Sequence, residues 1–174
     1  MMLRRIPAVL QHPLNLQRIP YLVDVSLLIV RVGLAWTFIY HGAGTLFDAF
    51  NGPGVHGQAV FFSTYAHLHP GTFWAVVNGI TEFGGGIAIA VGVFARLSAI
   101  GLFIDMVTAM ITVTFANGFV SRAPGSGYEL NVILACLALV IVFQGPGRLS
   151  LGGWLLRLLP VAREEREMVP LDAS

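Results

Sequence analysis

Charge is what this chain has least of. Only 11% of its 174 residues are charged, where an ordinary soluble domain carries about a quarter. Hydrophobic residues supply 56% of the chain and the mean hydropathy is +0.77. That balance excludes the usual soluble class and indicates an integral membrane protein of one domain. A formal net charge of +1 offers no basic field for nucleic acid. Cysteine is almost missing too. Cys136 is the one thiol in the sequence, so no intramolecular disulfide, CxxC pair or thiolate metal cluster can be built from this chain, and thiol chemistry would have to come from a partner.

What is present is apolar run after apolar run. Crossing a hydrocarbon core takes about 20 helical residues, and four stretches reach that length: 22–47, 72–94, 97–117 and 128–146. Turn formers separate them, "NGPG" at 51–54, "HPG" at 69–71, "SRAPGSG" at 121–127 and "GPG" at 145–147. The link at Ala95-Arg96 is so short that the second and third spans form a tight antiparallel hairpin. Arg4, Arg5, Arg18, Arg96, Arg148, Arg157, Arg163 and Arg166 fall on one side and Arg122 on the other, which places both termini in the cytoplasm. The first span is too long for a signal-peptide core and holds Arg31, so it reads as a retained helix.

The predicted fold class is therefore all-α, an integral membrane four-helix bundle with cytoplasmic termini. Residues 1–21 form a cytoplasmic segment, 22–147 the transmembrane domain and 148–174 a cytoplasmic interfacial helix and charged tail. The outer loop, 48–71, contains "AVFFSTYAHL" at 59–68, apolar but too short to span, and is expected at the outer interface.

Ionisable residues inside such helices cost a few kcal/mol and usually face the bundle interior. Here they are Arg31, His41, Glu82, Asp105 and Glu129. Asp24, Arg31, Phe38 and Thr45 recur every seven residues; Asn78, Glu82, Gly86 and Ala90 every four; Ser98, Gly101, Asp105, Thr108 and Thr112 alternate three and four. Each helix thus has one polar or small face. Counting at 1.5 Å per residue places Arg31 about 13 Å, Asp105 about 12 Å and Glu82 about 18 Å from the cytoplasmic side. The expectation is an inner cluster of Arg31 with Asp105 and Glu82, and an outer pair of His41 with Glu129. Two acids for one arginine disfavour double ionisation, which makes the cluster a candidate proton site. A structural Arg–acid pair and a ligand headgroup site remain alternatives to proton transfer.

Gly84, Ala88 and Gly92 make a small-residue stripe, with Gly85 and Gly86 beside it, read as helix packing. His56, His67 and His69 flank the outer loop without an acid or cysteine at ligand spacing, so no metal is expected. Haem would need axial ligands from facing helices, and His41 alone lies in a span, so no haem is expected either.

Taken in order, "LLIVRVGLAWTFIYHGAGTLF", "TEFGGGIAIAVGVFARLSAIGL", "GYELNVILACLALVIVF" and "GPGRLSL" resemble the DoxX family of four-helix bacterial membrane proteins, from about Leu27 to Leu151. Arg31, His41, Gly42, Glu82, Gly85, Gly86, Arg96, Tyr128 and Glu129 match its pattern. Thr45 stands where the family often has lysine, and Gly152 where it often has aspartate. The resemblance implies a multi-pass protein of the bacterial plasma (inner) membrane. Family members are associated with quinone-linked sulfur oxidation, as small subunits of thiosulfate:quinone oxidoreductase, and with a mycobacterial oxidoreductase complex joining superoxide detoxification to thiol metabolism. It therefore implies a membrane subunit of a redox or oxidative-stress assembly with quinone as cofactor. A soluble or membrane oxidoreductase would be its partner, the bilayer its surroundings and a homo-oligomer an open arrangement. A small proton-linked transporter using the same acids, and a non-catalytic scaffold for a soluble partner, are the alternatives.

Overall fold

The computed structural model describes residues 20–120 and 126–158. Among these residues six α-helices follow in order: α1 Pro20–Phe47, α2 Gly54–Thr64, α3 Gly71–Val91, α4 Ala95–Ala109, α5 Glu129–Gln144 and α6 Leu151–Leu158. A wider π turn, Met110–Thr114, and a tighter 3-10 turn, Phe115–Asn117, carry α4 onward. α1, α3 and the 23 residues Ala95–Asn117 are long and apolar enough to cross a membrane. The fourth apolar helix is shorter than the sequence suggested. α5 has 16 residues, about 24 Å at 1.5 Å each. Pro146 follows directly behind its C-cap Gly145 and cannot continue a helix.

The protein is an all-α membrane bundle. α1 packs on α3, α3 on α4 and α4 on α5, with α1 and α5 also in contact. Leu34, Phe38, Ile89, Leu102 and Ile141 are each at most 1% exposed and meet at the centre. The heptad stripe of α1 turns inward as its spacing requires: Arg31, Phe38 and Thr45 are all buried. Large apolar side chains point outward instead, Trp36, Ile29, Ile104 and Phe143 among them. In water such a surface drives aggregation, whereas against lipid tails it is the solvated face.

The outer loop carries a helix of its own. Its apolar stretch forms most of α2, which folds back and packs on α3. His56, His67 and His69 are exposed around it. α6 begins within the expected interfacial helix, while the first 19 residues, the loop 121–125 with Arg122, and the charged tail lie outside the described residues.

The small-residue stripe needs correction. Gly84 faces outward, and a β-carbon there would meet nothing within 4 Å. The close approach of α1 and α3 runs through Gly42 and Gly86. A β-carbon at Gly42 would collide with the Phe83 backbone, and one at Gly86 would stand 3.0 Å from the Ile39 nitrogen. Gly85 meets Leu102 at ordinary contact distance, and Ala88 is half-buried. Gly92 ends α3 with φ 78°, a left-handed conformation that glycine adopts without strain. Successive helical residues are 100° apart, so within "FGGGIA" two adjacent glycines serve different faces. Gly84→Ala should therefore leave the detergent-solubilised protein as stable or raise it by up to about 1 kcal/mol. Gly42→Ala should lower it by about 1–3 kcal/mol through overpacking. Equal melting shifts for the two variants would contradict this assignment.

Candidate functional site

A cleft of about 390 Å³ opens between α3 and α4 beneath α2. Phe61 and Phe62 of α2, Leu68 and Trp74 give it an apolar wall. Asn78 and Glu82 from α3 and Asp105 from α4 form its polar end. Asn78 and Glu82 are four residues apart on α3 and share a face. The far wall is the π turn, with Thr112, Val113 and Thr114. Local chemistry helps to explain the widening. The Thr112 hydroxyl donates to the Thr108 carbonyl at 2.8 Å, the back-bonding that loosens and bends helices. The Thr114 hydroxyl donates to Asn131 Oδ1 of α5 at 3.1 Å, tying the turn to its neighbour. Single π turns inside α-helices occur often at functional sites.

The polar end is compact. Asn78 Nδ2 donates to Asp105 Oδ1 at 2.9 Å, and Glu82 lies one turn beyond Asn78 on the same lining of the cleft. Glu82 is only 8% exposed. Asp105 Oδ2 is buried and has no hydrogen-bond partner among the described residues. Buried polar atoms are nearly always paired, so an orphan oxygen on a carboxyl that lines the cleft stands out as unmet hydrogen-bonding capacity at that end.

Arg31 does not join these acids, which corrects the inner cluster read from the sequence. Its guanidinium donates to four carbonyls: Nε to Ile89 at 2.8 Å, Nη2 to Ala90 at 2.5 Å, and Nη1 to Pro146 at 3.1 Å and Leu149 at 2.7 Å. Two of these belong to the last turn of α3, where carbonyls lack helical partners and the dipole is negative. The other two lie in the "GPGRLS" turn. The Arg148 amide nearby donates to Asp24 Oδ1 at 2.7 Å, a second tie between α1 and that turn. Side chains tilt toward the N-terminus of their own helix. α1 and α3 run antiparallel, so Arg31 leans toward the end of α3 while Glu82 leans away from it. Glu82 is separated by this opposite lean and Asp105 by its place on α4, since α1 packs on α3 and α5; heights alone had put the three together.

The outer residues are placed as follows. His41 is exposed, its ring edge-on to Tyr40 at 5.7 Å, and it does not line the cleft. Glu129 is half-buried in the first turn of α5, also outside the cleft. Cys136 is exposed on α5. The sequence reading missed the aromatic wall from α2 and the π turn. "VFFST" beside a helix and the β-branched run "MITVT" were their signals.

The DoxX family model matches residues 26–115, just over half of the chain. An "Uncharacterized protein" of Haemophilus influenzae is 30% identical over 138 residues, covering 78% of this chain and 87% of that protein. No solved structure matches. The matched region holds the whole cleft, from Gln58 of α2 to Thr114 of the π turn. By the extent of that match and the identity to its bacterial relative, the chain belongs to the DoxX family.

Proposed function

We propose that this protein is the membrane subunit of a redox or oxidative-stress assembly and that its cleft receives a quinone headgroup. The orphan Asp105 Oδ2 at the polar end of the cleft carries this reading. The residues fit such a group. The volume of about 390 Å³ lies within the ordinary range of ligand pockets. Phe61, Phe62 and Trp74 offer flat apolar faces for a ring, the Asn78 amide a donor for a quinone oxygen and the Asp105 carboxyl an acceptor for the hydroxyl of the reduced form.

A quinone takes up two electrons and two protons, and the electrons would come from a redox centre on an oxidoreductase partner. Asp105 and Glu82 are the groups in place to hold and pass protons at the cleft end. Asn78 holds Asp105 through its amide, and the α2 wall makes that side of the cleft apolar. The arginine distribution supports a plasma-membrane orientation with the Arg96 end in the cytoplasm. That end is also where the Arg31-bound turn would meet a soluble partner.

Protein purified from native membrane should yield extractable quinone and co-purify with an oxidoreductase, and added quinone should raise its melting temperature. At a hundredfold excess over Kd the stabilisation is about 2.7 kcal/mol, several degrees for a chain of this size. A preparation that holds no quinone and does not respond to it would overturn the proposal.

A further inference from the structure

We infer that the ligand of the cleft is a long-tailed amphiphile that enters sideways from the bilayer and lays its tail in a groove along the α3–α4 seam. This rests on the cleft being a ligand site and specifies what class of ligand fits it. Thr81, Gly101 and Ile104 line both the cleft and a second cavity of about 400 Å³. The two therefore lie side by side along the α3–α4 seam, with these residues between them. The second cavity is otherwise lined by Gly85, Leu97, Ser98 and Ile100.

Small residues open this groove. A β-carbon built at Gly101 would meet only Thr81 Cγ2, at 3.4 Å, and Ser98 is half-buried with its short side chain beside it. The outer edge is Leu97, 68% exposed, and Ile104, 57% exposed, so the groove opens to the face that lipid covers. From Ile104 to Leu97 the groove follows two turns of α4, about 10 Å. Its lining is apolar except for the Thr81 and Ser98 hydroxyls, whereas the carboxyls and the Asn78 amide belong to the cleft alone. The chemistry is thus divided along the seam, a hydrogen-bonding end for a head and an apolar channel for a chain. A small water-soluble ligand would leave that channel without purpose.

The test uses full-length protein in nanodiscs and two quinones that share one ring, one bearing a methyl group and the other a ten-carbon chain. Quenching of tryptophan fluorescence reports binding, since Trp74 lines the cleft. Ser98 and Ile100 line the groove and not the cleft, so Ser98→Phe and Ile100→Phe obstruct only the tail path. Ile100 is 42% exposed, and its variant should fold even if a filled Ser98 position does not. Comparing each variant with wild type cancels the partitioning of the long chain into lipid. The expected result is at least fivefold weaker binding of the long-chain quinone with the methyl quinone unchanged within twofold. Unchanged long-chain binding, or equal weakening of both quinones, overturns the tail groove while leaving the cleft intact as a site. Failure of wild type to bind either quinone overturns the cleft reading and this inference with it.

Discussion

Replacing Arg31 with methionine is expected to be among the most destabilising single changes in this protein, costing at least about 3 kcal/mol. Methionine keeps much of the buried hydrocarbon but donates nothing. The carbonyls of Ile89, Ala90, Pro146 and Leu149 then lose their donor. Each such loss costs about 1–3 kcal/mol where water cannot substitute, and partial solvation at the bundle end lowers the sum. Arg31→Lys should recover only part, because three donors on one ammonium cannot span two separate pairs of carbonyls as a planar guanidinium does. Melting of the detergent-solubilised variants measures the size of the effect, and limited trypsin digestion its location. The turn from Gly145 to Ser150 is tied to α1 through Arg31 and through Asp24, so cleavage after Arg148 should accelerate in Arg31→Met well below the melting temperature. A variant that melts within a degree or two of wild type, with Arg148 still protected, would show that the carbonyl cap is dispensable.

This role for Arg31 bears on how far the sequence speaks. Hydropathy and helical period act locally, and so the three long helices, the hairpin at Ala95-Arg96 and the inward stripe of Arg31, Phe38 and Thr45 were legible residue by residue. Glu82 and Asp105, grouped by depth, do line one end of the cleft, and Asn78 joins them through its bond to Asp105, a contact the depth count did not reveal. Arg31 failed that logic because depth says nothing of which helices touch: α1 packs on α3 and α5 while Asp105 stands on α4, and on α3 itself Glu82 leans the other way. The nearest acceptors for a long cation were backbone carbonyls that no side-chain pattern displays. Gly84 failed for a related reason: a glycine run gives permission for close approach on several faces, and only the partner helix selects Gly86. α2 was legible as apolar and short, but its role as a wall depends on a fold-back onto α3 that an 11-residue segment cannot announce.

Asp105→Asn should separate holding a ligand from giving it a proton. Asparagine keeps the shape, and its oxygen can still accept from Asn78 Nδ2, the 2.9 Å bond of the wild type. The fold should therefore melt within about 1 kcal/mol of wild type, as isosteric replacements that keep their hydrogen bonds do. The amide has no proton to release at the position of the orphan Oδ2. If the proposed quinone chemistry runs through this atom, its reduction by the co-purified partner should fall by about a hundredfold, the usual size of a lost general acid. Quinone-dependent stabilisation should change much less. Glu82→Gln tests the second acid in the same way and should be milder if Glu82 only passes a proton along. Asn78→Leu differs from both, because it strips the donor from Asp105 Oδ1 and should lower the melting temperature itself. The informative outcome is the split. Loss of turnover with retained binding in Asp105→Asn assigns the carboxyl a proton. Equal loss of both would make it a binding group only, and full turnover without it would move the proton chemistry to another residue.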